Sequence, residues 1–144
     1  MLISQLKKRS NDFVSQLPQI IEKAVSYNEE IENLNKSQLQ ESILATGAPI
    51  SPGYSNMYAE WKSKMYPQSY GSGKVNLFLT GDLYNDMDLV VKYPNYLIIT
   101  TVPYAPKLAR KYSDKIFGIA PKNRQRAQEI TSRLIAEQYK QMVL

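Results

Sequence analysis

From Phe13 onward apolar residues recur at Leu17, Ile20, Ala24, Tyr27, Ile31 and Leu34, alternating steps of four and three that draw one stripe along a helix. The spacing predicts a long amphipathic N-terminal helix over about residues 3–35. Pro18 falls inside the stripe without shifting its phase. Its ring removes a backbone donor, so a kink or a helix restart is expected there rather than a change of face. Leu39 to Leu44 is a short apolar piece, and Gly47, Pro49, Pro52 and Gly53 punctuate the next stretch of chain. Tyr54 to Tyr66 predicts a second, short helix with Tyr54, Met57, Tyr58, Trp61 and Met65 on one side, stopped by Pro67. Gln68 to Lys74 holds two glycines and two serines and reads as an exposed, mobile loop.

The period then shortens to two. Val75, Leu77 and Leu79 alternate with Asn76, Phe78 and Thr80, which predicts a strand leading into Thr80-Gly81-Asp82. Met87, Leu89, Val91 and Tyr93 alternate with Asp88, Val90 and Lys92, and Leu97 to Val102 is a β-branched run, so an antiparallel hairpin is expected around Pro94. Proline cannot take the positive φ of the tight primed turns, which predicts a wider loop built on a type I or II turn. Pro106 suits the first turn of a short helix to about Tyr112, and Gly118 ends or turns that segment. Behind Pro121, Ala127, Ile130, Leu134, Ile135, Tyr139 and Met142 recur at helical spacing. The expected architecture is one α+β domain over residues 1–144. A small antiparallel sheet of about three strands packs with the long N-terminal helix and a C-terminal amphipathic helix. The loop and sheet region spans about 45–102 and the C-terminal helical region about 104–144.

Composition agrees with a single core: 43% of the 144 residues are hydrophobic and 22% charged, the balance of a folded domain. No run approaches the roughly 18 apolar residues of a membrane span, and Lys7, Lys8 and Arg9 come after rather than before the first apolar residues. Neither a membrane anchor nor a signal peptide is expected. The absence of cysteine excludes disulfides, thiol catalysis and thiolate zinc sites, and fits a reducing cytoplasm. The absence of histidine removes the commonest general base and metal ligand. Charge is uneven. Residues 1–102 carry nine Lys/Arg against ten Asp/Glu, whereas 103–144 carry nine against three. A basic C-terminal third is in most cases a solvated helix face, and otherwise marks nucleic acid or an acidic protein partner.

Few groups could carry chemistry. Asp82, Asp86 and Asp88 are the only carboxylate cluster, but Thr-Gly-Asp is ordinary turn chemistry and no second acid pattern supports a magnesium site. Ser72-Gly73-Lys74 lacks the spacing of a phosphate loop. The eleven tyrosines and Trp61 could stack on single-stranded nucleic acid, yet they are scattered and suit core and interface positions better. Catalytic, cofactor-binding and metal-binding residues are therefore all expected to be none.

The order Leu77-Phe78-Leu79-Thr80-Gly81-Asp82-Leu83-Tyr84, hairpin, Tyr104-Ala105-Pro106, Phe117-Gly118-Ile119 resembles the virion morphogenesis and tail-completion (neck, head-tail joining) proteins of tailed phages. Upstream, Gln38-Leu39, Gly47, Pro52, Tyr54-Ser55, Tyr58 and Lys62 look like the segment preceding the Leu-x-x-Thr-Gly-Asp motif in Bacteroidetes-phage proteins of this kind. The matches cover roughly residues 30–135. Tyr112-Ser113 departs from the Tyr-Gly common in that group, and Ala120 from its capping Ser or Thr. The resemblance implies a non-enzymatic subunit made in the host bacterial cytoplasm and carried in the virion. It would form a homo-oligomeric ring between portal or adaptor and tail, with no membrane partner and with its basic third toward DNA in the lumen or an acidic protein. The alternative is a small basic nucleic-acid-binding protein. The resemblance and the helix stripe together carry two local expectations. Tyr27, Ile31 and Leu34, at the far end of the first stripe, should contact another chain, and Thr80, Gly81 and Asp82 should form a structural turn with positive φ at Gly81.

Overall fold

The first stripe folds into three helices rather than one. A computed structural model describes residues 2–144 and places α1 at Leu2–Ser15, α2 at Leu17–Val25 and α3 at Glu29–Gln40. The first break is the expected restart, with Pro18 in the opening turn of α2, where its missing N–H costs nothing. The second break departs from the single helix expected. Tyr27 adopts a left-handed conformation, φ 62°, and the Asn28 carboxamide oxygen accepts the Ile31 N–H at 2.9 Å to start α3, with Glu29, Glu30 and Glu32 in its first turn. An N-cap with acids at the positive end of the helix outweighs the continuity of the stripe.

α4 spans Asn56–Met65, capped by the Ser55 hydroxyl, which accepts the Tyr58 N–H. Two 3-10 turns come next, Pro67–Ser69 and Gly71–Gly73, and the segment is not the wholly exposed loop expected. Ser69 is buried and its hydroxyl donates to the Leu79 carbonyl at 2.7 Å. α5 is Asp82–Asp86, β1 Asp88–Lys92, β2 Asn95–Ile99, α6 Ala105–Tyr112 and α7 Pro121–Val143. Among the described residues there are thus seven helices and a two-stranded antiparallel sheet, an α+β arrangement with one strand fewer than expected.

On the β1 side the hairpin is closed to a third strand. Lys92 pairs with Asn95 and Leu89 with Ile98, so Leu89, Val91 and Tyr93 turn their N–H groups to the outer edge of β1. There the Glu32 carboxylate accepts Leu89 at 2.8 Å, the Ser26 hydroxyl accepts Val91 at 3.0 Å and the Glu22 carboxylate accepts Tyr93 at 3.1 Å. The Tyr27 N–H donates to the Leu89 carbonyl at 2.6 Å. Side chains and backbone of the α2–α3 junction therefore occupy the place of a third strand. Val75 to Thr80 runs irregularly instead, with Leu77 at φ 54°. The hairpin loop also differs from expectation. It has only two residues, and the Tyr93–Pro94 peptide is cis, the type VI geometry that accommodates proline without a positive φ.

Three apolar clusters line α7 and the hairpin. Phe13, Ile20 and Val143 join α1 and α2 to the C-terminal end of α7. Val25, Ile31, Leu89, Val91, Ile119 and Ile130 form the middle, and Leu39, Leu83, Met87, Tyr112 and Ile116 lie in the third. Between the last two, buried Asn35 and Gln38 grip the extended segment after α6. Asn35 donates to the Ile116 carbonyl at 3.0 Å and accepts the Gly118 N–H at 2.9 Å; Gln38 donates to the Gly118 carbonyl and accepts the Ala120 N–H, both at 2.8 Å. Two carboxamides on one helix face thus bond like a neighbouring strand and satisfy a buried backbone.

Candidate interaction surface

The acids do not converge. Among the described residues no group of three His, Cys, Asp or Glu side chains lies close enough together to hold a metal ion. Asp86 is occupied as a structural acceptor, taking Thr100 Oγ1 at 2.6 Å, the Thr101 N–H at 2.5 Å and the Val102 N–H at 3.2 Å. These donors, Thr100 foremost, hold its carboxyl below the usual range. The result is to end β2 at Ile99 and to fasten its exit to α5. The Thr80-Gly81-Asp82 turn has the expected positive φ at Gly81, 93°, with the Thr80 hydroxyl accepting the Asp82 N–H at 3.4 Å, though it opens a helix rather than closing a strand.

The residues expected at an interface are divided. Tyr27 is 61% exposed, whereas Ile31 is only 4% exposed and sits in the middle cluster, with Leu34 half-buried beside it. Breaking the helix at Tyr27 turns α3 so that the end of its stripe faces β1 and α7. Ile31 is therefore a core residue, and the stripe's exposed member is Tyr27.

An exposed apolar surface lies on α4, on the side that carries its aromatic stripe. Met57, Trp61 and Met65 are 83%, 43% and 62% exposed. Tyr54, Tyr58, Trp61 and Tyr66 succeed one another with ring centroids 4.9, 5.7 and 5.5 Å apart. The inner end of this row borders a cleft of about 620 Å³ that also takes in Thr80, Gly81, Asp82, Tyr104 and Lys111. A second cleft of about 490 Å³ separates the hairpin turn from α7, walled by Tyr93, Pro94, Tyr96, Ala127 and Thr131.

Behind the row, Lys62 points inward and is fully buried. Its ammonium donates to Asn76 Oδ1 at 2.7 Å and lies 4.9 Å from the centre of the Tyr54 ring. Among the described residues no carboxylate pairs with it, and burial pushes its pKa down to about 8. Asn76 is the hub: it also accepts the Phe78 N–H, donates to the Ser69 carbonyl and takes the Tyr84 hydroxyl on its own carbonyl. Burial pushes the Tyr54 phenol up to about 12. Nothing in the local pattern marks Lys62 as inward. Gln38 is more legible, since it stands four residues after Leu34 and continues the four-three alternation, with Asn35 three before it on the same helix face.

The basic third is partly neutralised. Glu30 of α3 accepts Arg133 at 2.5 Å and Arg126 at 3.3 Å, and Glu41 pairs with Lys122. Lys107, Arg110, Lys111, Lys115, Arg124 and Lys140 make no ion pair among the described residues. No described helix is long and apolar enough to cross a membrane. No protein-family model matches the chain, and no curated protein or solved structure matches it.

Proposed function

We propose that this chain is a non-enzymatic structural subunit of a tailed-phage virion, a neck or tail-completion protein that joins portal or adaptor to tail within a homo-oligomeric ring. The observation that carries the reading is the row of exposed aromatic and methionine side chains along α4, residue types enriched in protein interfaces over the rest of the surface. The motif order supports it further. Tyr54 binds the Leu77 N–H, Gly81 makes the turn into α5, and the Gly118 backbone is the segment gripped by Asn35 and Gln38. Each motif residue thus joins one part of the fold to another, as a scaffold requires. The decisive experiment is mass spectrometry of purified particles, with cryo-electron microscopy of the head-tail junction. Stoichiometric presence there supports the proposal, and absence from intact particles removes it.

The nucleic-acid reading rests on the six cations without an ion-pair partner, set against the three that α3 and its succeeding turn already engage. Affinity for DNA or RNA that falls steeply with salt, in the absence of any particle association, would favour it.

A further inference from the structure

The two edges of the hairpin are finished differently. Every outward N–H of β1 and of Tyr93 after it is taken by Glu32, Ser26 or Glu22. On β2 the pairing partners of Val91 and Leu89 are Tyr96 and Ile98, so these two residues turn their N–H and C=O groups to the opposite edge. None of those four groups has a hydrogen-bond partner among the described residues. Natural edges are protected by charge, proline or a bulge, yet Asn95–Ile99 contains none of these, and Leu97 and Ile99 are 54% and 41% exposed on its outer face.

We infer that this edge pairs with the same edge of a second copy, antiparallel about a two-fold axis at Leu97. Register singles out this occupant: the open groups lie on Tyr96 and Ile98, symmetric about Leu97, so the edge is complementary to itself. The net charge of +5 opposes association, but β2 itself carries no charge, so no like charges meet along the contact. In this register Tyr96 faces Ile98 of the other copy, and each pair exchanges two backbone hydrogen bonds, which satisfies all the open groups at once. Leu97 meets Leu97 of the other copy at a non-hydrogen-bonded site, where side chains come closest. The product is a four-stranded sheet across two molecules. A five-residue strand contact is small, so the dimer is weak and concentration-dependent. A two-fold contact joins subunits in pairs and does not itself close a ring, so the inference stands apart from the virion reading.

Sedimentation equilibrium of the full chain, from micromolar to millimolar concentration, should show monomer passing to dimer. Leu97→Lys and Leu97→Glu should each weaken association at least about tenfold, because like charges then face each other across the axis. An equimolar mixture of the two variants should associate again, as only a two-fold register places position 97 against itself. The chain has no cysteine, so Leu97→Cys supplies a single thiol, which should oxidise to a covalent dimer faster than Asn95→Cys. A wild-type chain monomeric throughout, a Leu97→Lys variant that associates normally, or a mixture no better than either variant would overturn the inference. So would equal cross-linking at 95 and 97, which also decides the matter should the charged variants misfold.

Discussion

The fold buries two polar centres that are built on opposite principles. Asn35 and Gln38 are neutral, and each carboxamide both gives and accepts a backbone hydrogen bond from Ile116–Ala120. Lys62 is a cation with one side-chain oxygen and one aromatic ring for company. The first centre completes the backbone of a segment that has no strand beside it. The second brings a charge into an apolar region that Asn76 already organises. A neutral, fully paired group is costly to remove, whereas an underpaired charge is costly to keep.

The most severe test strikes the stripe one turn before the carboxamides. Ile31→Lys with Leu34→Lys would place two ammonium groups against Leu89, Val91 and Ile130, and should cost more than about 4 kcal/mol and abolish the near-ultraviolet circular dichroism of the native state. A double variant that stays folded would mean that α3 does not pack its stripe against β1 and α7. Next in size is Gln38→Leu, which keeps the volume but leaves the buried Gly118 carbonyl and Ala120 N–H unpartnered. At about 1–3 kcal/mol for each orphaned group, urea denaturation should register a loss of about 3 kcal/mol. A change under about 1 kcal/mol would show that water replaces the carboxamide, and the contrast between the two centres would collapse. Smaller again is Gly81→Ala. A left-handed φ of 93° and a new Cβ 3.3 Å from the Phe78 ring should lower stability by about 1 kcal/mol or more, seen as a reduced Tm.

How far the fold can be read from the sequence depends on whether its cause is local. The alternation from Met87 to Val102 specifies a hairpin because period and turn residue lie together in the chain. The alternation of Val75, Leu77 and Leu79 does not say what the segment would pair with: Glu22, Ser26 and Glu32 close the β1 edge from far along the sequence, and Leu77 takes a left-handed φ that interrupts an extended strand. The helix break at Tyr27 hides behind an in-phase tyrosine, although Asn28 with Glu29 and Glu30 after it is a readable N-cap. Of the expected interface, Tyr27 stays at the surface and Ile31 does not, for the same reason. The aromatic row on α4 can be named residue by residue, but its outward direction is set by Lys62 and Asn76, a contact that no local spacing announces.

The smallest effect is also the one that separates the two centres most directly. Lys62→Met replaces the ammonium by an apolar end of similar length, and Asn76 keeps its bonds to Phe78 and Ser69. Near neutral pH stability should therefore stay within about 1 kcal/mol of wild type or rise. The sign with pH is fixed by linkage. The folded-state pKa of Lys62 is about 8, against 10.5 for a free lysine, so between those values the unfolded chain holds a proton that the folded chain has released. Below pH 8 both states are charged and the whole cost of burying the cation falls on the folded state. As pH rises from 8 toward 10.5 that cost is relieved, and wild type should gain stability relative to Lys62→Met. The phenol of Tyr54, raised by burial, acts oppositely from about pH 10 upward but is common to both proteins, so the difference in Tm between about pH 7 and 10 isolates the lysine. A constant difference across that range would mean that the ammonium keeps its proton in the fold, and that Asn76 and the Tyr54 ring stabilise it as fully as a carboxylate would.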